Sequence, residues 1–303
     1  MKTIFKSYLS LSMLLISITS AAAQSTIADS TMAQITQERT FYETLGKIYP
    51  PESSVTVNET TIAGVKSYWF NENLIRQKHI VVYLHGGVYA LGSINSYRAM
   101  ISHLAKTLGL PILYVEYSLA PERPFPAAKN EIFGVYSSLR EKYPDHQFTV
   151  IGDSAGGGLA ITLVHDCMDS NVALPNSLAL ISPWVDLKTK NNSYVTRQAL
   201  DPILSKKMLH DHALLYAPDD LKEADPSELK FKQFPPVIIL VGTDEVLNDD
   251  SKNFYGYIQP IQAKSKLKEF QGQKHVWLIS NIGSKESVEA MNDIKEFIST
   301  ETF

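Results

Sequence analysis

Cysteine is nearly absent: Cys167 is the only one among 303 residues. An internal disulfide is therefore excluded, and a lone thiol with no glycine turn or adjacent base to present it reads as a small buried hydrophobe. A surplus of positive charge is also lacking. Lys and Arg number 28 against 32 Asp and Glu, a net charge of −4, which argues against nucleic acid or an anionic membrane surface as partner. The apolar stretch around Leu9 to Ile18 is short of the roughly 20 residues that a membrane helix needs. No internal repeat or low-complexity tract is found, and no composition shift marks a second independent domain.

What is present is the make-up of an ordinary globular chain, 44% hydrophobic and 20% charged, long enough to bury a full core in one large α/β domain. Its beginning differs in character. Lys2 and Lys6, the apolar stretch and Ala21-Ala22-Ala23 together read as a signal peptide over residues 1–23, with cleavage after Ala23 and export. No cysteine follows the apolar run, so a lipid anchor is not indicated, and no stable membrane insertion is expected after cleavage. Residues 24–303 then form the domain.

The chain is organised around Gly152-Asp153-Ser154-Ala155-Gly156-Gly157. Phe148 to Ile151 has the β-branched and aromatic character of a buried strand, and Gly157 to Asp166 has a helical apolar face. Gly-x-Ser-x-Gly on a strand-to-helix turn is a nucleophile elbow: the serine is held in strained geometry with its hydroxyl exposed, and the glycines let strand and helix approach. The pattern is weak alone and gains weight from this context.

Strands are expected at Ile80 to Leu84, Pro111 to Tyr117, Leu178 to Ile181, Pro236 to Val241 and Leu267 to Phe270. Helices are expected at Tyr97 to Leu108, Ala127 to Tyr143 and Ser284 to Ile298, and Ser54 to Phe70 alternates as a two-stranded antiparallel edge turning at Ala63-Gly64. Such alternation predicts a mostly parallel central sheet with helices on both faces and chemistry at the carboxyl ends of the strands. Two segments, about 26–50 and 188–230 and partly helical, are candidates for a helical cap over those ends.

A serine hydroxyl needs a base, an orienter for that base and donors for an oxyanion. Bare amides at Gly86 and Gly87, directly after the strand ending at Leu84, and the amide of Ala155 at a helix start are the candidate donors. His85 reads as a brace for that loop. Chain order, nucleophile then acid then histidine, selects His275, the only histidine beyond His212. His210-Asp211-His212 does not suggest a metal, because residues two apart on a helix do not share a face. Asp244, Glu245, Asp249 and Asp250 crowd the position of the acid, and spacing alone does not choose among them; any of them can equally be part of a solvated acidic loop.

Taken together, the elbow, Tyr117-Ser118-Leu119-Ala120-Pro121-Glu122, Ser182-Pro183-Trp184-Val185-Asp186-Leu187 and Phe234-Pro235-Pro236 resemble the hormone-sensitive-lipase-like family of α/β-hydrolases, the bacterial family IV carboxylesterases. The likeness runs from about Val65 to Ile298. The middle motifs read as scaffold, with Glu122 or Arg123 tying down buried backbone. The family's pattern of acid, any residue, Leu, any residue, Asp aligns on Leu247 and Asp249 and implies Glu245 as the catalytic acid, with Asp244 as runner-up. Val88 stands where the family usually has a third glycine and adds bulk, so acceptance of hindered alcohols does not carry over. Ser118 replaces an arginine and Glu116 an aspartate in a supporting network.

The resemblance implies an α/β-hydrolase fold and a serine carboxylesterase acting on short-chain acyl esters through Ser154, His275 and Glu245, with a small-molecule ester as partner, no cofactor, no metal, and a homodimer paired through an edge strand. Lactones or acetylated natural products are further substrate classes. An amide or formamide hydrolase would use the same triad and would be told apart by its activity on anilides relative to matched esters. A catalytically silent binding module would fail to take a fluorophosphonate label at Ser154.

Overall fold

The computed structural model describes residues 30–301. The chain divides into two compact units, Met1–Phe41 and Tyr42–Phe303. The first is helical from residue 30 onward (α1, residues 30–42). The expected signal peptide, residues 1–23, lies outside the described residues, as do residues 26–29 of the first expected cap segment.

The second unit is built on one eight-stranded sheet of order β1-β2-β4-β3-β5-β6-β7-β8. The chain opens it with a hairpin, β1 (Val57–Ile62) and β2 (Val65–Phe70), in register from Val57 opposite Phe70 to Ile62 opposite Val65. Ala63 and Gly64 make the turn at φ 51° and 80°, the left-handed pair that matches the twist of the flanking strands. The expected edge hairpin is therefore found, and β2 also joins the main sheet, antiparallel to β4. From there strands and helices alternate: β3 (His79–Leu84), α2 (Ile94–Leu108), β4 (Ile112–Val115), α3 (Ala127–Lys142), β5 (Gln147–Asp153), α4 (Ala155–Asp169) and β6 (Ser177–Ile181). The excursion between β6 and β7 carries α5 (Ser193–Thr196), α6 (Lys206–Tyr216) and α7 (Leu221–Ala224). It is followed by β7 (Val237–Gly242), α8 (Asn248–Ile258), β8 (Lys266–Phe270), α9 (Trp277–Ser280) and α10 (Lys285–Glu301).

All six residues of β3 and of β7 are buried, as the continuous apolar character of a strand covered on both faces requires. On one face Val81, Tyr83 and Ile151 share a core with Tyr97 and Ile101 of α2 and Ile294 and Phe297 of α10. On the other, Phe148 meets Tyr136 of α3 edge to face, with ring centroids 5.7 Å apart. Each such fully buried side chain is worth roughly 1.5–3 kcal/mol relative to exposure. β8 reads Lys-Leu-Lys-Glu-Phe and is largely solvated, as suits an edge strand.

Boundaries differ where a local cap or bond intervenes. α2 begins three residues before Tyr97 because Ser93 accepts from the Asn95 amide while Ser96 accepts from the Ser93 amide, each at 3.0 Å, a reciprocal cap made of two serines. α4 begins at Ala155 and not Gly157, so the glycines lie inside the helix. Tyr117 leaves the sheet to donate to the His85 carbonyl at 2.5 Å.

Parallel pairing runs from β3 to β4 on one side and from β3 through β5, β6 and β7 to β8 on the other. Strand order thus reverses between β3 and β5. In open α/β sheets the crevice outside the carboxyl ends at such a switch point is where ligands bind. The loop after β3 carries His85 to Val88, and the turn after β5 carries Ser154.

Candidate active site

Ser154 adopts φ 51° and ψ −121°, backbone that a side chain rarely takes and that costs on the order of 1–3 kcal/mol. The surroundings hold it there. Its amide donates to the Ile181 carbonyl of β6 at 3.0 Å, and its carbonyl accepts from Gly157, Gly158 and Trp184. The elbow also requires its glycines. A Cβ at Gly156 would stand 2.0 Å from the Leu84 carbonyl oxygen, and one at Gly152 would stand 2.3 Å from that of Gly156. Strand and helix could not then meet at this angle.

The side chain of Ser154 is buried, and its hydroxyl lies 2.9 Å from Nε2 of His275. Nδ1 of the same imidazole lies 2.8 Å from Oε2 of Glu245. Glu245 is fully buried, and its other oxygen accepts from the Gly242 amide at 2.6 Å and from the Ser182 hydroxyl at 2.8 Å. The carboxylate therefore fixes Nδ1 as the protonated nitrogen and leaves the lone pair of Nε2 facing the serine. Burial works against a charged His275. The hydrogen bond and charge of Glu245 outweigh it, with Asp201 and Asp153 adding to them, so the pKa rises above the ordinary histidine value.

The other acids of the crowded stretch have separate work. Asp244 is paired with Lys274 at 2.8 Å near the surface. Asp249 accepts from the Ser193 amide at 2.8 Å. Asp250 is no part of a solvated loop: it is buried, accepts from the amides of Val185 and Asp186 and from Tyr194, and burial pushes its pKa up to about 7.

One expected oxyanion donor needs correction. The Gly86 amide is aimed inward, 3.0 Å from Oδ1 of Asp153 and 3.0 Å from the Tyr97 hydroxyl. Because β3 and β5 are neighbours, the carboxylate at the end of β5 lies against the loop that leaves β3. Asp153 is buried and also accepts from Tyr83 and Tyr97 at 2.8 Å each. Burial raises its pKa to about 6 against the opposing effect of those two phenols. The amides of Gly87, Val88 and Ala155, by contrast, have no hydrogen-bond partner among the described residues. Gly87, Val88 and Tyr89 run through φ 111°, 50° and 61°, which turns the loop away from the sheet; for β-branched Val88 this is an outlying conformation. Gly87 and Ala155 thus remain candidate donors, and Val88, read from sequence only as bulk, joins them.

His85 braces the loop as expected, with Nδ1 2.7 Å from the Gly86 carbonyl and its ring stacked on Tyr117 at 4.2 Å; burial lowers its pKa to about 4. Arg123 does not tie down buried backbone. It is exposed and pairs with Glu131, and it is Glu131 that holds Ser118 through its amide at 2.7 Å and its hydroxyl at 2.6 Å. Glu116 accepts from the Ile94 amide at the start of α2. Cys167 is buried, which pushes its thiol up to about 12. Of the three residues at 210–212, His212 is buried against the Met208 carbonyl and Asp211 pairs with Lys207.

The contacts of two residues inside the motifs do not show in the sequence. Ser182 has φ 47° and stands at the end of β6, donating to Glu245 and accepting from the Val276 amide at 3.3 Å; it joins the acid loop to the histidine loop. Asp153 belongs to the elbow motif, but only the β3/β5 adjacency reveals what its carboxylate holds.

The arrangement can move a proton from a serine hydroxyl to an imidazole backed by a carboxylate, next to unpartnered amides. The chain that carries it is similar to known proteins. The model of the alpha/beta hydrolase fold family matches residues 81–279. An esterase of Acinetobacter venetianus is 30% identical over 264 residues, covering 86% of this chain and 87% of that one. An acetyl-hydrolase of Streptomyces hygroscopicus is 35% identical over 233 residues, covering 75% and 76%. A crystal structure of an esterase from the bacterial hormone-sensitive lipase family superposes with a TM-score of 0.83 at 28% identity, covering 91% of this chain and 98% of that one.

Proposed function

The chain belongs to the hormone-sensitive-lipase-like esterases of the α/β-hydrolase fold and is a carboxylic ester hydrolase; from that premise we propose that it cleaves short-chain acyl esters through Ser154, His275 and Glu245. The observation that carries the reading is the unbroken chain of contacts from the Ser154 hydroxyl through both nitrogens of His275 to Glu245, at 2.9 and 2.8 Å.

In this mechanism Ser154 attacks the ester carbonyl while Nε2 of His275 takes its proton. The tetrahedral oxyanion is held by amides of Gly87, Val88 and Ala155. The imidazolium, stabilised by Glu245, returns the proton to the leaving alcohol, and the acyl group stays on Ser154. Water then attacks the acyl-enzyme by the same proton path and frees the acid. Each half of the cycle is carbonyl addition, then collapse that breaks the bond to the alcohol or, in the second half, to the Ser154 oxygen, with His275 carrying the proton, so atoms and electrons balance without a cofactor.

In this reading the aromatic cluster packed against Gly158, on the helix after the elbow, limits the acyl length. Tyr89 stacks on Tyr216 of α6 at 3.8 Å and stands 5.4 Å from Trp184, whose amide bonds the Ser154 carbonyl. In this reading residues 188–230, which supply Tyr216, act as part of the cap. With p-nitrophenyl esters from acetate to palmitate, turnover is expected to peak at acetate or butyrate, fall steeply beyond, and vanish in Ser154→Ala. Equal or greater turnover of palmitate would overturn the short acyl pocket, and survival of activity in Ser154→Ala would overturn the serine mechanism.

Export is the second part of the proposal, supported by Lys2 and Lys6, the apolar stretch after them and the alanines at 21–23. The protein recovered from the exported fraction of a bacterial host is expected to begin at Gln24 by N-terminal sequencing. Recovery only from the cytosol, with residues 1–23 intact, would reject it.

A further inference from the structure

We propose that Asp201, on the excursion between β6 and β7, is a positioning residue for the reaction: its carboxylate straps down the loop that carries Glu245 and adds a negative charge that the His275 imidazolium feels. The proposal rests on the reading of Ser154, His275 and Glu245 as the triad.

Asp201 is buried at 6% exposure and uses both oxygens. Oδ1 accepts from the amides of Ile203 and Leu204, each at 2.9 Å, closing its own turn. Oδ2 accepts at 2.9 Å from the amide of Val246, the residue directly after Glu245. Three further residues tie the same two segments together. The Ser193 hydroxyl donates to the Val246 carbonyl at 2.5 Å and accepts from the Asp249 amide at 3.2 Å. Asp249 accepts from the Ser193 amide, and Arg197 donates to the Thr243 carbonyl. The loop Gly242 to Asn248 is thereby held from outside by residues 193–204 as well as from within by the Gly242 amide on Glu245.

Of the charged members of this strap, Asp201 is the one whose carboxylate adds to Glu245 in favouring charged His275. His275 touches Ser154 of the β5 turn and Glu245 of the loop after β7; the carboxylates of Glu245, of Asp201 on the excursion and of Asp153 at the end of β5 all favour its charged form. Of the cations on these segments, Lys274 is paired with Asp244, and Arg197 donates to the neutral Thr243 carbonyl and keeps its charge, which the Asp201 variants leave in place. Buried carboxylates that do not touch the imidazole still act on it, because charge interactions fall off slowly where water is excluded.

The test separates the two roles. In Asp201→Asn the remaining oxygen best serves the two amides of the turn, which leaves an amide donor facing the Val246 N–H, so both strap and charge are lost. Turnover of p-nitrophenyl acetate is expected to fall about tenfold with KM little changed. The acid limb of kcat/KM should move down by about half a pH unit or more, because an imidazole with less negative charge around it gives up its proton at lower pH. Ser193→Ala loosens the strap without changing charge and should lower kcat while leaving the acid limb in place. Asp201→Glu restores the charge and should return the limb toward its original position. Active-site titration with a fluorophosphonate counts the folded enzyme in each sample. An Asp201→Asn limb that does not move, or an equal movement in Ser193→Ala, would overturn the proposal. Retention of activity by Ser154→Ala would instead strike the triad reading beneath it.

Discussion

A His275→Ala variant is expected to lose on the order of 10⁴-fold or more in kcat toward p-nitrophenyl acetate, with KM changed far less. The argument begins with the nucleophile. A serine hydroxyl holds its proton near neutral pH, and the imidazole 2.9 Å away is the base in reach of it. The same group must later protonate the leaving alcohol, so its removal costs both halves of the cycle. Oxyanion amides and substrate binding are untouched by the change, which is why a residue of catalysis above the water rate should remain. The pH profile of the unaltered enzyme checks the same assignment from another side. Protonated His275 cannot accept from Ser154, so kcat/KM falls as pH falls through its pKa. Glu245 and the two more distant carboxylates overcome the effect of burial and raise that pKa, which puts the acid limb above the ordinary histidine value. A loss of less than about tenfold in His275→Ala would remove the residue from the mechanism.

How much of this was legible in the chain depends on how far apart the interacting residues lie. The central strands were readable because a strand buried on both faces must be apolar throughout, as β3 and β7 are. The elbow was readable because its pattern is local, Gly-x-Ser-x-Gly between a strand and a helix; Gly152 is confined within the turn by the Gly156 carbonyl, and Gly156 by the Leu84 carbonyl of β3. The start of α2 was missed because its cap is two serines, Ser93 and Ser96, where a Ser-x-x-Glu box would have stood out. The direction of the Gly86 amide is not a local property of the chain. Whether a loop amide faces substrate or protein depends on φ at the following residues and on what the neighbouring strand offers, here Asp153. Among the four clustered acids, spacing alone does not choose and only the family pattern points to Glu245, whereas partners separate all four: a lysine for Asp244, a backbone amide for Asp249, a buried polar nest for Asp250, and the imidazole for Glu245. Asp201 and Ser182 were beyond reach because both act across loops that meet only once β6 and β7 pair.

The same partner logic makes Glu245→Gln the sharper test of the acid. The substitution keeps the shape and removes the charge, so its effect follows from where the new amide nitrogen goes. Oε1 receives two hydrogen bonds, from the Gly242 amide and the Ser182 hydroxyl, while Oε2 receives one from His275. In glutamine the single oxygen best fills the position with two donors, and the NH2 group then faces Nδ1 of the imidazole. Nδ1 must accept, the ring proton moves to Nε2, and the nitrogen facing Ser154 no longer has a lone pair for its proton. The tautomer is wrong although every heavy atom is in place. A loss of roughly 10³–10⁴-fold in kcat is expected, with the fold retained by circular dichroism, since an analogous acid-to-amide change in a Ser-His-Asp triad costs about 10⁴. Asp244→Asn removes a pair with Lys274 near the surface and leaves an acceptor for the Thr243 hydroxyl; such solvated pairs contribute little, and kcat should stay within about twofold. Reversed outcomes, a silent Glu245→Gln with a crippled Asp244→Asn, would move the orienting role one residue back and break the contact chain from which the mechanism is argued.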